Sequence, residues 1–344
     1  MGCINTVLTN NTIPDSILDL YPDLAIKQST GEDWWIRARK SRVLIDWFKP
    51  VTRKMLEDKG CLELVIARSS GYDYIDLDAA EENGVCIANQ PEIIGITVAE
   101  HAVAGILASL LSVIEAYNHM PKWAADGWPR WIRRNIIHGK SLGLLGTGRI
   151  GSGVLAKLWG FGLEKVYYYS RTPKPQLEAV YNAERTGVER LFRKSDIVVN
   201  SLPLTRETRG LVTSNLIAVM PPYGVYVNVG RGGTEAEGAV EEAARLRPDL
   251  RFVLDVHPEE PLQTGHPRMR MYGREGVILT PHLAGYSVES YIGTTILALA
   301  QARDYLEKGC VWNPVAGPCK PCSEKSIGIE EALAKARELA LRTK

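Results

Sequence analysis

Along the chain, short apolar runs alternate with stretches whose apolar residues recur every three to four positions. The runs at 6–9, 24–27, 43–46, 62–67 and 84–88 predict strands, and 13–21, 52–59 and 77–83 carry helical spacing, with Thr52 in the N-cap position of the second helix. The alternation resumes after residue 140. Strands are predicted at 142–145, 166–169, 196–200, 225–229, 252–255 and 277–279, and helices at 213–220 and 235–246. Between the two blocks lies 97–119, apolar on most faces and read as one long helix. Glu100 and His101 interrupt its apolar run, so it reads as a buried helix rather than a membrane span. A second long helix is predicted at 287–308, an extended stretch at 313–315 and a polar-faced helix at 329–342. The fold class is α/β, with two Rossmann-like parallel-sheet domains, one flavodoxin-like and one dinucleotide-binding.

The second block opens with SLGLLGTGRIGSGVLAKLWGFGLEKVYYYSR, at 141–171. It reads strand, glycine turn, helix, strand, the setting that a dinucleotide fingerprint requires. Gly146 permits a tight turn, Gly148 lets the backbone approach a pyrophosphate and Gly151 lets the helix pack on the strand, with Arg149 and Ile150 between them. The helix start offers N–H groups and partial positive charge to the phosphates. An acidic residue at the end of the second strand would bind the ribose 2′-OH of NAD. Here stand Ser170, Arg171 and Thr172, which suit a 2′-phosphate, so NADP is the expected cofactor, with NAD the alternative.

Composition narrows the class. With 344 residues, 45% hydrophobic, 24% charged and a net charge of +1, the chain is expected to be a soluble two-domain protein, cytoplasmic, with no nucleic-acid or membrane partner. Residues 122–137 interleave Trp123, Trp128 and Trp131 with Arg130, Arg133 and Arg134. With no wider basic surface, this reads as a loop over a cleft or at a dimer contact. The start, Met1-Gly2-Cys3, fits a loose myristoylation pattern, against which stands a first strand beginning within it. Six cysteines, at 3, 61, 86, 310, 319 and 322, show no disulfide framework; Cys61 and Cys86 read as core residues. The Cys319–Cys322 CxxC reads as two incidental thiols, a local disulfide or redox pair being the alternative. No metal site is expected.

Ligands bind outside the carboxyl ends of strands in such sheets. Arg231, Asp255, Glu260 and His282 all follow predicted strand ends. His282 is the natural acid/base, Glu260 can orient it, and Arg231 can fork onto a carboxylate and its adjacent carbonyl. Each alone has a duller reading, as a turn residue or a surface charge; three at successive strand ends of one domain point to hydride exchange at a carbonyl.

The segments ARSSGYDYIDL, NQPEIIGITVAEHAV, GTGRIG, LPLTRETRGLV, NVGRGG, LDVHPEEPL and TPHLAG resemble those of the D-isomer-specific 2-hydroxyacid dehydrogenases, from about residue 43 to 318. The resemblance implies that Arg231 binds substrate, that Glu260 and His282 form the acid/base pair and that Asp255 meets the nicotinamide carboxamide. It implies that the Ser70 and Gly71 backbone holds the substrate carboxylate, that His282 contacts substrate, and that Leu202, Val229, Gly230 and Gly285 line the cofactor. It further implies a substrate domain of 1–105 plus 296–320, a dinucleotide domain of 106–295, a helical tail at 321–344 and a homodimer built on the long helices. Within the family, YYYSRTPKP is similar to the NADP-using glyoxylate/hydroxypyruvate reductases. Phosphoglycerate dehydrogenases tend to place an Arg near the start of the loop that here reads Asp46-Trp47-Phe48, and an acidic residue there argues against a phosphorylated substrate, with Lys49 as the counter-argument. His257 stands where an aromatic is commoner and reads as a cofactor-side variation. Two rivals remain: 3-phosphoglycerate oxidation by the same residues, and a nucleotide-sensing protein like the C-terminal binding protein corepressors, which share the fold and keep the triad.

Overall fold

The computed structural model describes residues 4–130 and 132–342. Met1, Gly2, Cys3 and Trp131 lie outside them, and with them the myristoylation pattern. Thirteen strands are present among the described residues: β1 (Ile4–Thr9), β2 (Ile26–Gln28), β3 (Ser41–Asp46), β4 (Leu64–Ala67), β5 (Cys86–Asn89), β6 (Ser141–Leu145), β7 (Lys165–Tyr169), β8 (Ala183–Arg185), β9 (Ile197–Asn200), β10 (Val225–Asn228), β11 (Arg251–Leu254), β12 (Val277–Leu279) and β13 (Pro314–Ala316). They form two sheets in two compact units. One unit comprises residues 1–95 and 286–344, the other 96–285.

The first unit holds a six-stranded sheet in the order β13-β5-β4-β3-β1-β2, parallel except for the edge strand β13. Its parallel part has the flavodoxin-like order. Fully buried runs such as Leu64–Ala67 fit a sheet covered on both faces. The helix Val288–Lys308 supplies one cover, burying Ile296, Leu297, Leu299 and Ala300 beside Val43, Ile45 and Ile66. Its start is a capping box between Ser287 and Ser290. Thr52 does occupy an N-cap position, but its side chain makes no capping bond.

The closing helix Ile329–Arg342 is not a separate tail. Ala332, Ala336 and Leu339 are buried in the same core, and the segment clusters with the first unit. The cysteines also depart from the sequence reading. Because β13 lies antiparallel on β5, Cys319 comes beside Cys86, and the two are disulfide-bonded with Cα atoms 5.1 Å apart. Backbone bonds from Val311 N–H to Lys320 O and from Cys322 N–H to Val311 O bring Cys310 to Cys322, a second disulfide with Cα atoms 5.0 Å apart. The CxxC is therefore neither a local disulfide nor two incidental thiols, and Cys86 is more than a core thiol. Cys61 is disulfide-bonded as well.

The second unit holds a seven-stranded parallel sheet, β12-β11-β10-β9-β6-β7-β8. The order reverses at β6, as in dinucleotide-binding folds. Leu145, Asn200, Asn228 and Leu254 pair in register at the ends of β6, β9, β10 and β11, so the loops after these strands start at one level.

The long helix predicted at 97–119 is two, Glu92–Leu110 and Val113–His119. The break is at Ser112, in the left-handed region at φ 49°. The buried Arg251 of β11 holds it, donating to Ser109 O at 2.7 Å and Ser112 Oγ at 2.9 Å. Glu92–Leu110 is long and apolar enough by composition to cross a membrane. Within the second unit it is a packing helix: Gly105 lies so close to β11 that a Cβ there would sit 2.5 Å from Val253 Cγ1.

Candidate active site

The glycine turn after β6 has the shape that its sequence predicts. Gly146 sits at φ 90°, open only to glycine without strain, and a Cβ on Gly151 would lie 2.1 Å from Gly146 O. A Cβ on Gly148 would meet nothing within 4 Å, which leaves that face of the backbone open. The helix Arg149–Trp159 begins at Gly148 with no side-chain cap, so its first turn presents N–H groups, those of Ile150 and Gly151 among them, at a site that can face a phosphate. The Thr147 hydroxyl beside them is buried, with no hydrogen-bond partner among the described residues. This cradle fits a pyrophosphate.

Two asparagines missed by sequence reasoning shape the next two loops. Asn200 Oδ1 accepts from Leu202 N–H at 3.2 Å, and Asn228 Oδ1 accepts from Gly230 N–H at 3.0 Å. Their amides are anchored in turn to Thr234 Oγ1 and Glu235 Oε1. Leu202, Val229 and Gly230 are buried at these strand ends. Past β7, Ser170 Oγ donates to Thr172 O, while Arg171 and Thr172 are exposed.

The two residues expected to form the acid/base pair meet. His282 Nδ1 lies 2.6 Å from Glu260 Oε2, and both side chains are about one-third exposed, at 35% each. An ionised carboxylate only accepts, so Nδ1 carries the hydrogen and Nε2 is the nitrogen left for a substrate. Burial pushes the Glu260 carboxyl up, but the hydrogen bonds from His282 and from the His257 N–H and the positive charge of the histidines outweigh it, and the group ends below its usual range.

The turn carrying His282 is built by Asp255, which is 1% exposed. Its backbone carbonyl accepts from His282 N–H at 2.8 Å. Its carboxylate accepts from Thr280 Oγ1 at 2.6 Å and from the N–H groups of Leu283 and Ala284, each at 2.9 Å. Asp255 thus shapes the loop leading to Gly285, and His282 is held at φ 54°. His257, read from the sequence as a cofactor-side variation, has a structural tie of its own. Its Nε2 donates to Thr280 O at 2.9 Å, tying the loop after β11 to the turn after β12.

Arg231 stands at the start of the short helical turn Gly232–Thr234. Thr234 Oγ1 and Asn228 Nδ2 hold its carbonyl, and its Nη1 donates to Gly230 O. A Cβ on Gly232 would sit 1.9 Å from His257 O, so the Arg231 loop is pressed directly against the Glu260 loop. Arg231, Glu260 and His282 therefore ride on three backbone segments locked in series.

In the first unit, Ser70 and Gly71 form a turn after β4. Its carbonyls are held: Ser69 O accepts from Gln90 N–H, Ser70 O from Asn89 Nδ2 and Gly71 O from Ser69 Oγ. No acceptor among the described residues takes the N–H of Ser70 or Gly71, which leaves both as donors.

The neighbouring residues correct the substrate argument drawn from Asp46. Asp46 is fully buried at the end of β3, with Asn10 Nδ2 donating to its Oδ1, and it presents no charge to a bound molecule. Lys49 is no counter-argument either: Nζ donates to Thr30 O and lies over the Trp34 ring. The cation that sequence reading missed is Arg68. It is buried, stacked on Trp47 with Cζ 3.1 Å from the ring centroid, and it donates to Tyr291 O, Thr294 Oγ1 and Thr295 Oγ1. Burial lowers its pKa to about 9.

A reversed parallel sheet with a phosphate turn at the switch point, and a paired imidazole and carboxylate one sheet edge away, define a nucleotide-dependent oxidoreductase. The family model for D-isomer specific 2-hydroxyacid dehydrogenase, NAD binding domain, matches residues 107–284. The glyoxylate reductase of Aeropyrum pernix is 35% identical over 243 residues, covering 69% of this chain and 71% of that one. That of Pyrococcus furiosus is 30% identical, covering 70% and 71%. A Thermus thermophilus protein of solved structure superposes with a TM-score of 0.78 at 27% identity, covering 90% of this chain and all of that one. The chain belongs to the D-isomer specific 2-hydroxyacid dehydrogenase family, NAD(P)-dependent oxidoreductases acting on the CH–OH group of 2-hydroxy acids.

Proposed function

We propose that the protein is an NADP(H)-preferring reductase of small 2-oxo acids, with glyoxylate and hydroxypyruvate as its leading substrates. The observation that carries the reading is the 2.6 Å pairing of His282 with Glu260. The glyoxylate reductases among its relatives support the substrate class.

Bound nicotinamide supplies the hydride. His282 holds a proton at Nε2 for the developing alkoxide, and Glu260 fixes the ring and stabilises the imidazolium. Arg231 forks onto the substrate carboxylate and polarises the carbonyl. The N–H groups of Ser70 and Gly71 are further carboxylate donors. The unit of residues 96–285 binds the nucleotide, and the unit holding Ser70 and Gly71 binds the substrate. Gly146, Gly148, Arg149, Ile150 and Gly151 take the pyrophosphate, while Leu202, Val229, Gly230, Asp255 and Gly285 shape the floor for the rest. Ser170, Arg171 and Thr172 read the 2′-phosphate.

A homodimer is part of the proposal. Val113, Tyr117, Met120 and Trp128 are exposed on and after the helix Val113–His119. Beside that helix a groove of about 620 Å³ runs along the open edge of β12, lined by Ile114, Tyr272 and Val277. An apolar face of this kind calls for a partner. The cytoplasm, with its NAD(P)(H) pool, is the proposed compartment. Disulfides are rare there outside hyperthermophiles, so Cys86–Cys319 and Cys310–Cys322 are the features against that placement.

The test follows the absorbance of reduced nicotinamide with a panel of 2-oxo acids, using NADPH and NADH in parallel. Reduction of glyoxylate or hydroxypyruvate, faster with NADPH, is expected. A clear NADH preference refutes the cofactor assignment. Turnover confined to a phosphorylated substrate refutes the substrate assignment, and tight nucleotide binding without turnover on any 2-oxo acid makes the protein a nucleotide sensor.

A further inference from the structure

The loop after β7 is braced from the neighbouring strand by a residue that no sequence motif marks. Arg185 of β8 donates through Nε and Nη2 to Ser170 O, at 3.2 and 3.0 Å, and through Nη2 to Arg171 O, at 2.8 Å. One guanidinium thus holds two consecutive carbonyls, a rigid planar fork on the backbone that carries Arg171. The far end of the same loop is also fixed. The Tyr168 hydroxyl accepts from Lys174 N–H at 2.9 Å and donates to Glu178 at the start of the helix Pro175–Tyr181. With its carbonyls and its exit pinned, the loop has few ways to move, and Arg171 stands exposed on it beside Thr172.

We propose that Arg185 is a positioning residue for cofactor choice: it holds the Ser170–Thr172 loop in the form that accepts a 2′-phosphorylated adenosine, through the backbone rather than by touching the phosphate. The proposal rests on the NADP(H) reading above and deepens it. The physical reason is preorganisation. A loop already fixed in its binding shape loses less conformational freedom when the anion arrives, and charge-assisted bonds are geometry-sensitive. A nucleotide lacking the 2′-phosphate brings no anion to this loop and gains far less from the brace.

The experiment is calorimetric titration of adenosine 2′,5′-bisphosphate and of 5′-AMP into the wild type, R171A, R185A and R185K, with thermal melts of each. The wild type is expected to prefer the bisphosphate, and R171A to lose that preference. R185A is expected to weaken bisphosphate binding about tenfold while leaving 5′-AMP affinity within about twofold, and R185K to recover part of the loss. A general loss of structure would lower both affinities together, and that outcome overturns the proposal. So does an R185A variant that keeps the full bisphosphate preference while R171A loses it, which leaves the NADP(H) reading standing. A wild type with no bisphosphate preference ends the NADP(H) reading itself.

Discussion

Replacing Asp46 with Asn tests how this protein carries a buried carboxyl at the end of β3. Asp46 has no exposed surface, and burial raises its pKa from the ordinary 3.8 to about 7, against the pull of Asn10, Tyr74 and the Lys49 backbone. A carboxyl whose folded pKa lies above its unfolded one stabilises the fold fully below the unfolded value. It loses that contribution as pH rises through the folded value. Stability attributable to Asp46 therefore falls between about pH 4 and pH 8, by up to roughly 4 kcal/mol for a shift of this size. Asn keeps the oxygen that accepts from Asn10 and removes the titration. Urea unfolding followed by tryptophan fluorescence, with Trp47 adjacent, measures both proteins at pH 5 and pH 8.5. Asp46→Asn should match or slightly trail the wild type at pH 5 and exceed it at pH 8.5. Parallel stability curves for the two proteins across that range refute the reasoning.

His282→Gln should lower kcat/KM for the 2-oxo acid about 10²- to 10⁴-fold with nucleotide binding intact; near-normal turnover removes His282 from the acid role. Arg231→Ala should lower kcat/KM by about 10²-fold, falling more on KM than on kcat, and an unchanged KM would place the substrate carboxylate elsewhere. His257→Phe removes the bond to Thr280 O and should cost about tenfold in kcat/KM by loosening the His282 turn; wild-type kinetics would show that the turn needs no such tie. Alkylation of the native protein without reductant should leave Cys86, Cys310, Cys319 and Cys322 unmodified, and reduction should cost roughly 2–5 kcal/mol of stability. Rapid labelling of Cys319 before reduction would refute the pairing.

The sequence announces most of what lies on regular periodicity. Glycine spacing, strand endings and the order of charged residues after them are local patterns, and they located the phosphate turn, Arg231, Glu260 and His282 in the chain. What escaped depends on contacts between segments far apart. β8 is three residues, Ala-Glu-Arg, with no apolar alternation to mark it, yet it carries the arginine that braces the loop after β7. The disulfides join residues 86 and 319 only because β13 folds back on β5. The break at Ser112 lies among apolar residues (Leu110, Leu111, Val113, Ile114) that mark no helix end, and Arg251, more than a hundred residues away in sequence, holds it. The substrate argument from Asp46 failed for the same cause. An acidic residue at a strand end reads as a surface charge, and only the packing of Asn10 and Tyr74 around it shows that the carboxyl faces inward. Burial, and not residue type alone, sets the charge state of the groups around this strand end. Arg68 is the first of these: no carboxylate among the described residues bonds to it, and its flat face is covered by Trp47. The planar guanidinium stacks face to face on Trp47, which a Lys ammonium cannot reproduce and which burial without a carboxylate partner would tend to neutralise, so Arg68→Lys should loosen Trp47 and shift its fluorescence. If the Trp47 emission and the substrate preference are both unchanged in that variant, the plate is held by Tyr291 alone, and Arg68 belongs to the core of the first unit rather than to substrate selection.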